Sequence, residues 1–387
     1  MSRITKLVLI SNYFNHHQRP VSDELYSMLG NGFRFIETSR ITDERIAMGW
    51  GIDTYPSYVI KSYESDLKTI IELIDDADVV IVGGQLEEFL KSRKKDKKII
   101  IRYSERPLKK QNEFYKLPFR FLKWHLQNPR KVPIYLLCAS AFASSDYNRL
   151  GLFKNKSYKW GYFPPFIAHN IDELFDYKNS LGLSLLFVGR FIPLKRPDYP
   201  IKALCTLRQE GIDAHLTMIG SGPLNEEIYN YISKEGVGDH ITILPSTSPE
   251  NVRRIMDSSD ILMFTSDKNE GWGAVVNEAM NSGCVVVGSS KIGSIPFLIN
   301  DGHNGMIFRD GDFDDFYNKV KKCCLDGALR ERLGRNAYAS IEELWNPHNA
   351  AQRLLFLLND LVSYGYCRSF QEGPCSQSEI LKDGWYN

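Results

Sequence analysis

The sequence holds no apolar run long enough to cross a bilayer, and the one at its start, Met1 to Ser11, is too short for a secretory leader. It also lacks an excess of charge of either sign. Its 48 Lys and Arg face 47 Asp and Glu, a net charge of +1 that argues against general nucleic-acid binding. Cysteine is scarce: the 7 cysteines are odd in number, include the vicinal Cys323 and Cys324, and fall in no metal-ligand spacing. That usage predicts a reduced, cytoplasmic chain rather than a disulfide scaffold. A composition of 43% hydrophobic and 25% charged residues excludes a disordered or collagen-like chain. A length of 387 residues favours two cores of comparable size over one.

What the sequence does contain is an alternation of short apolar runs with longer amphipathic stretches, the pattern of strand and crossover helix in a parallel sheet. Strands are expected at Lys6 to Ile10, Phe33 to Ile36, Val79 to Val82, Ile99 to Ile101 and Tyr135 to Leu137. A second series is expected at Leu185 to Val188, His215 to Ile219, Ile241 to Leu244, Ile261 to Phe264 and Val285 to Val287. Between the two, Gly161 to Ser184 reads as a linker, stiffened by Pro164 and Pro165 and polar from Asp172 to Ser180. One local charge excess breaks the overall neutrality. From Lys91 to Lys131 basic residues far outnumber the acids Asp96, Glu105 and Glu113, with Phe119, Phe121, Leu122 and Trp124 interleaved. Such a segment is either a solvated basic face or a patch that rests on anionic lipid.

In doubly wound sheets ligands bind beyond the carboxyl ends of the strands, so the residues that follow each strand carry the functional information. After Leu185 to Val188 come Gly189 and Arg190, then Lys195 and Arg196, cations suited to neutralise a diphosphate leaving group. After His215 to Ile219, the turn Gly220, Ser221, Gly222, Pro223 allows close backbone approach to a ligand. After Ile261 to Phe264 the chain reads Glu270, Gly271, Trp272, Gly273, Ala274, Val275, Val276, Asn277, Glu278. Small residues at 271 and 273 leave amides unobstructed at a helix start. Glu270 and Glu278 are then at most about 12 Å apart along a helix, the span from a donor sugar to a ribose joined by a diphosphate.

These residues resemble the retaining glycosyltransferases of the large family 4, which have the GT-B architecture: two doubly wound, Rossmann-like α/β domains facing each other across a cleft. The likeness runs from about Ser184 to Phe308 and includes Asn304 with Gly305. It implies that Arg190 and Lys195 contact the donor diphosphate, that Glu278 binds ribose, that Glu270 touches the donor sugar, and that Leu244 and Pro245 meet the base through their backbone. By the same likeness Arg190, Lys195 and Glu270 are the catalytic candidates. Gly189, Gly220, Gly222, Leu244, Pro245, Gly271, Trp272, Gly273, Ala274 and Glu278 are the candidates for donor binding. Three departures stand out. The family's glycine pair in the first loop is replaced by Asn15, His16, His17 and Gln18; its N-domain histidine by the stretch Arg102, Tyr103, Ser104, Glu105, Arg106; and its acid after a glycine pair by Pro296, preceded by Gly293 and Ser294. His16 and His17 either contact donor or acceptor or make only local hydrogen bonds, and Glu105 is a further candidate contact.

The resemblance implies transfer of a hexosyl unit from a UDP- or GDP-linked sugar to an acceptor hydroxyl with retained configuration, without a metal or other cofactor. The acceptor expected is a lipid-linked or growing saccharide in bacterial surface polysaccharide synthesis, and the protein is expected in the cytoplasm at the inner face of the membrane, touching it peripherally through 91–131. Another GT-B reaction, such as epimerisation of a sugar nucleotide or phosphorolysis, and a nucleotide-sugar-binding module without turnover are the alternatives. The expected domains are 1–175, an N-terminal acceptor-binding domain; 176–345, a C-terminal nucleotide-sugar-binding domain; and 346–387, a helical segment returning to the first, with Ala350 to Leu361 as its helix.

Overall fold

The computed structural model describes residues 4–42, 51–52, 54–84, 86–109, 117–382 and 384–386. The chain divides into two compact units. The first comprises Met1–Pro165 with Asn346–Asp383, and the second Phe166–Trp345 with Gly384–Asn387. The first sheet is built from β1 (Leu7–Ser11), β2 (Phe33–Glu37), β3 (Val59–Lys61), β4 (Val79–Gly83), β5 (Ile100–Ser104), β6 (Ile134–Cys138) and β7 (Ser157–Lys159), all parallel, in the order β3-β2-β1-β4-β5-β6-β7. The second contains β8 (Ser184–Val188), β9 (His215–Ile219), β10 (Ile241–Leu244), β11 (Ile261–Phe264), β12 (Val285–Ser289) and β13 (Met306–Phe308), also parallel, in the order β10-β9-β8-β11-β12-β13.

The central strands are apolar throughout because helices cover both faces of each sheet. β4 (VVIVG) and β11 (ILMF) are buried at every position. In the second unit Phe187, Leu216, Met218, Met263 and Val287 pack with Ile201 and Leu204 of the helix Asp198–Gln209 and with Phe316 and Val320 of the helix Phe313–Leu325. Each such side chain contributes about 1.5–3 kcal/mol when removed from water.

Two expectations need correction. The polar stretch Asp172 to Ser180 is not a linker but lies within the helix Ile171–Ser180, and the chain has already passed into the second unit after Pro165. Leu174 and Phe175 bury its inner face, and Lys178 is itself buried, its Nζ donating to Met256 O at 3.1 Å. The C-terminal helix is Pro347–Tyr364, longer than the apolar run. Asn346 caps it by accepting from the Asn349 N–H at 2.8 Å, and Pro347 fixes its first turn. The helix packs on Arg19–Leu29 of the first unit, with His348 Nδ1 2.8 Å from Glu24 Oε2. Beyond it the tail borders β7: Lys159 N–H donates to Ser376 O at 2.8 Å, Cys375 N–H to Lys159 O at 2.7 Å and Ser378 N–H to Ser157 O at 2.8 Å. At the end of the chain, Trp385 Nε1 donates to Ser290 O at 3.0 Å and Tyr386 Oη to Asp301 Oδ2 at 2.7 Å, both in the second unit.

Candidate functional site

The second sheet reverses its winding between β8 and β11, the place where doubly wound sheets bind their ligands, and the loops leaving the carboxyl ends of those strands lie next to each other there. The two loops are fastened together. Thr265 Oγ1 donates to Lys195 O at 2.7 Å and the Asp267 N–H to Leu194 O at 2.8 Å. At their far end Lys195 Nζ forms an ion pair with Glu270 Oε2, the two side chains only 16% and 14% exposed. Residues 75 positions apart thus meet at the switch point. Arg190, from the same loop as Lys195, is exposed, and no acid pairs with it among the described residues. Arg196 turns elsewhere, its Nη1 2.7 Å from Asp310 Oδ1, so only two of the loop's cations remain for a ligand.

Glu278 lies in the short helix Val275–Asn281 that follows the β11 loop. It is half-buried, and no hydrogen bond reaches its carboxylate from the other described residues. Burial pushes its carboxyl up to about 7 against the opposing pull of Arg253. A desolvated carboxylate with no internal donor is matched to a ligand that brings hydroxyls. Sequence reasoning missed Arg253. It comes from the helix Pro249–Asp257, is buried, and donates from Nη1 to Glu278 O at 3.1 Å and from Nη2 to Asn281 Oδ1, holding the Glu278 helix from beneath. The available signal was spacing: Arg253 precedes buried Met256 by three residues and so shares its inward face.

Several candidates sit differently from the expectation. The Gly220 and Gly222 amides are already engaged, with Leu244 O at 2.9 Å and Asn225 Oδ1 at 2.9 Å. At Gly220 (φ +148°) a Cβ would lie 2.0 Å from Gly189 O, so this glycine lets two loops pack rather than clearing space for a ligand. The Trp272 indole is buried among Phe297 and Trp345 and donates to Asn277 Oδ1 at 2.8 Å, which leaves only its backbone to face a donor. Gly273 (φ +81°) is required because a Cβ there would meet the Phe264 ring at 2.4 Å. The amides of Gly273 and Ala274 bond to no other described residue, so both are open to a ligand. Gly271 sits between this open edge and Glu270, Gly189 leads from β8 into the cationic loop, and Leu244 ends β10 with exposed Pro245 following it. Asn304 is structural, donating to Leu298 O and Ser340 Oγ, each at 2.9 Å, and Ser294 precedes the turn of helix Ile295–Leu298 that contains Pro296.

In the first unit the winding reverses between β1 and β4, and the loop after β1 carries His16 and His17. Their rings lie 3.9 Å apart, and His17 is 5.5 Å from the Tyr162 ring. Burial holds both below the usual imidazole range, His17 down to about 3 with His16 beside it, so both are neutral near pH 7. The loop is fixed from behind by buried Glu37, which accepts from the Phe14 N–H at 3.0 Å and from Tyr63 Oη at 3.0 Å. His17 lines a small cavity with Gln18, Tyr103, Trp160 and Phe163. Glu105 accepts from Tyr162 Oη at 3.0 Å and pairs with Lys109. Of the basic segment 91–131, residues 110–116, including Glu113, lie outside the described residues; the rest contains the helices Lys91–Lys95 and Leu117–Gln127, with β5 and turns between them.

Two parallel α/β units whose open loops gather at their switch points define the GT-B class of fold. Residues 178–340, all in the second unit, match the model of the family Glycosyl transferases group 1. Spore coat protein SA of Bacillus subtilis is 28% identical over 191 residues, 46% of this chain and 50% of that protein. A D-inositol 3-phosphate glycosyltransferase of Actinosynnema mirum is 30% identical over 174 residues, 41% of each. The chain thus spans half or less of the length of these relatives. The crystal structure of Anabaena HepE in complex with UDP superimposes with a TM-score of 0.69 at 14% identity, over 92% of this chain and all of that one, a likeness of fold alone.

Proposed function

We propose that the protein is a glycosyltransferase that moves a hexosyl unit from a UDP- or GDP-linked sugar to an acceptor hydroxyl, with retained anomeric configuration. The observation that carries this reading is the switch point of the second sheet, where the Lys195–Glu270 pair, Arg190 and the Glu278 carboxylate, the last two without a partner among the described residues, all belong to the loops and helix that follow β8 and β11. Arg190 and Lys195 would neutralise the diphosphate as it leaves, and an incoming diphosphate competes with Glu270 for the Lys195 ammonium. Glu270, released in part, would turn to the sugar hydroxyls, and Glu278 would hold the ribose diol. As the bond from the anomeric carbon to the phosphate oxygen breaks and that to the acceptor oxygen forms, the acceptor's proton passes to the leaving phosphate. No metal or other cofactor enters this scheme.

The acceptor we propose is a lipid-linked or growing saccharide in bacterial surface polysaccharide synthesis, bound by the first unit at the cytoplasmic face of the membrane. The family match over 178–340, the relation to a spore coat protein and the folding likeness to a UDP-bound structure support this reading. His16, His17 and Glu105, at the carboxyl edge of the first sheet, are the proposed acceptor contacts. The test is to incubate the protein with UDP- and GDP-sugars, with and without saccharide acceptors. Nucleoside diphosphate formed only when acceptor is present supports transfer. A rearranged sugar nucleotide, or binding of donor without any turnover, overturns it.

A further inference from the structure

The helix Leu117–Gln127 carries an apolar face toward solvent. Phe119 is 73% exposed, Leu122 58% and Leu126 71%, and at spacings of three and four they form one stripe along the helix. The other side is anchored. The Trp124 ring lies 5.8 Å from that of Tyr147, His125 Nε2 is 2.8 Å from Leu150 O, and Arg102 bonds Asn128 Oδ1 at 3.0 Å and Gln127 O at 3.2 Å. The stripe therefore cannot roll inward without breaking these contacts. Soluble surfaces tolerate single exposed apolar residues, but a continuous row of them marks a contact.

Cations edge the stripe. From 117 to 131 the sequence contains Arg120, Lys123, Arg130 and Lys131 and no Asp or Glu. β5 and β6 start side by side, the Ile100 N–H donating to Pro133 O at 3.1 Å, and the exposed residues leading into them are Asp96, Lys97 and Lys98 before one and Arg130 and Lys131 before the other. Arg102 also reaches Glu87 Oε1 at 2.7 Å, and Glu87 pairs in turn with Lys94, so the basic helix Lys91–Lys95 stands near the same end. Apolar side chains that insert, set in a segment with an excess of basic residues, complement an anionic bilayer surface. Among the described residues no helix is long and apolar enough to cross a membrane, so the contact is with the surface.

We infer that Phe119, Leu122 and Leu126 insert into the headgroup region of an anionic membrane, with the surrounding Lys and Arg held against its charge. This deepens the reading of a lipid-linked acceptor, and its test is separate from that of transfer. The purified full chain is mixed with vesicles of phosphatidylcholine alone or with phosphatidylglycerol added, and binding is read by flotation. The expected result is binding to the anionic vesicles only, weakened at high salt and reduced about tenfold or more in the triple variant Phe119→Ser, Leu122→Ser, Leu126→Ser. As a gain of signal, Leu122→Trp should shift its fluorescence to the blue on anionic vesicles alone. Donor-induced thermal stabilisation, which reports the second unit, should be equal in all variants, so loss of vesicle binding with donor binding intact concerns the helix and not the transfer reaction. Absence of binding to either vesicle, or undiminished binding by the triple variant, overturns the inference. So does a stripe-dependent dimer in light scattering without vesicle binding, since the occupant is then a second copy of the chain.

Discussion

Glu278 keeps a proton that an exposed carboxyl would have lost, and this has two consequences of opposite use. A group whose folded pKa, about 7, stands above its unfolded value stabilises the fold at low pH, and that contribution is lost as pH rises through 7. Glu278→Gln, which cannot ionise, should therefore raise the melting temperature at pH 8 more than at pH 5, and should weaken nucleotide-sugar binding at pH 8 but little at pH 5, as read by scanning calorimetry and isothermal titration. In the wild type, donor affinity should rise from pH 5 to 7 and then level off, because the carboxylate and not the acid accepts both ribose hydroxyls. Lys195→Ala acts on the reaction instead. We expect turnover to fall roughly 10²-fold with donor affinity changed by less than about tenfold, and steady-state kinetics with a direct binding measurement separate the two. Because Arg190 and Lys195 supply the positive charge in this scheme, EDTA should leave the rate unchanged.

At the scale of the element, Gly273 shows how tightly the β11 loop is specified. Its positive φ and the 2.4 Å approach of a Cβ to the Phe264 ring should make Gly273→Ala cost about 2–4 kcal/mol in urea unfolding and lower donor affinity as the loop shifts. Most of this loop was legible, since a buried strand, two glycines and two glutamates follow one another in sequence. The pairing of Lys195 with Glu270 was not, because nothing local records which loops meet across a sheet. Nor were β3, β7 and β13, each of three residues and too short to show a period. The helix Ile171–Ser180 escaped notice because Leu174 and Phe175 are the few apolar residues in a polar sequence. Nothing local separates buried Arg253 from its exposed neighbour Arg254, because the burial comes from the helix Val275–Asn281 that Arg253 supports. The Gly220 to Pro223 turn misled in the other direction, since glycines that admit a ligand and glycines that admit a neighbouring loop read alike.

For the molecule as a whole, the tail after Tyr364 serves the first unit at an otherwise open sheet edge. A strand such as β7 without a neighbour offers its backbone to other chains. Removing residues 366–387 should bare Ser157 to Lys159, lower the melting temperature and produce concentration-dependent association in light scattering; an unchanged size and unchanged stability would show that Cys375 to Ser378 contribute nothing to edge protection.

The same tail ends in the other unit, where Trp385 and Tyr386 hold Ser290 and Asp301. The polypeptide thus changes unit after Pro165, after Trp345 and once more before Gly384. A chimera that exchanges the second unit for that of a relative cannot be spliced at a single junction: a graft of 166–345 alone would keep the host's Trp385 against a foreign loop, so hybrids built from this scaffold need residues 384–387 taken from the same parent as 166–345.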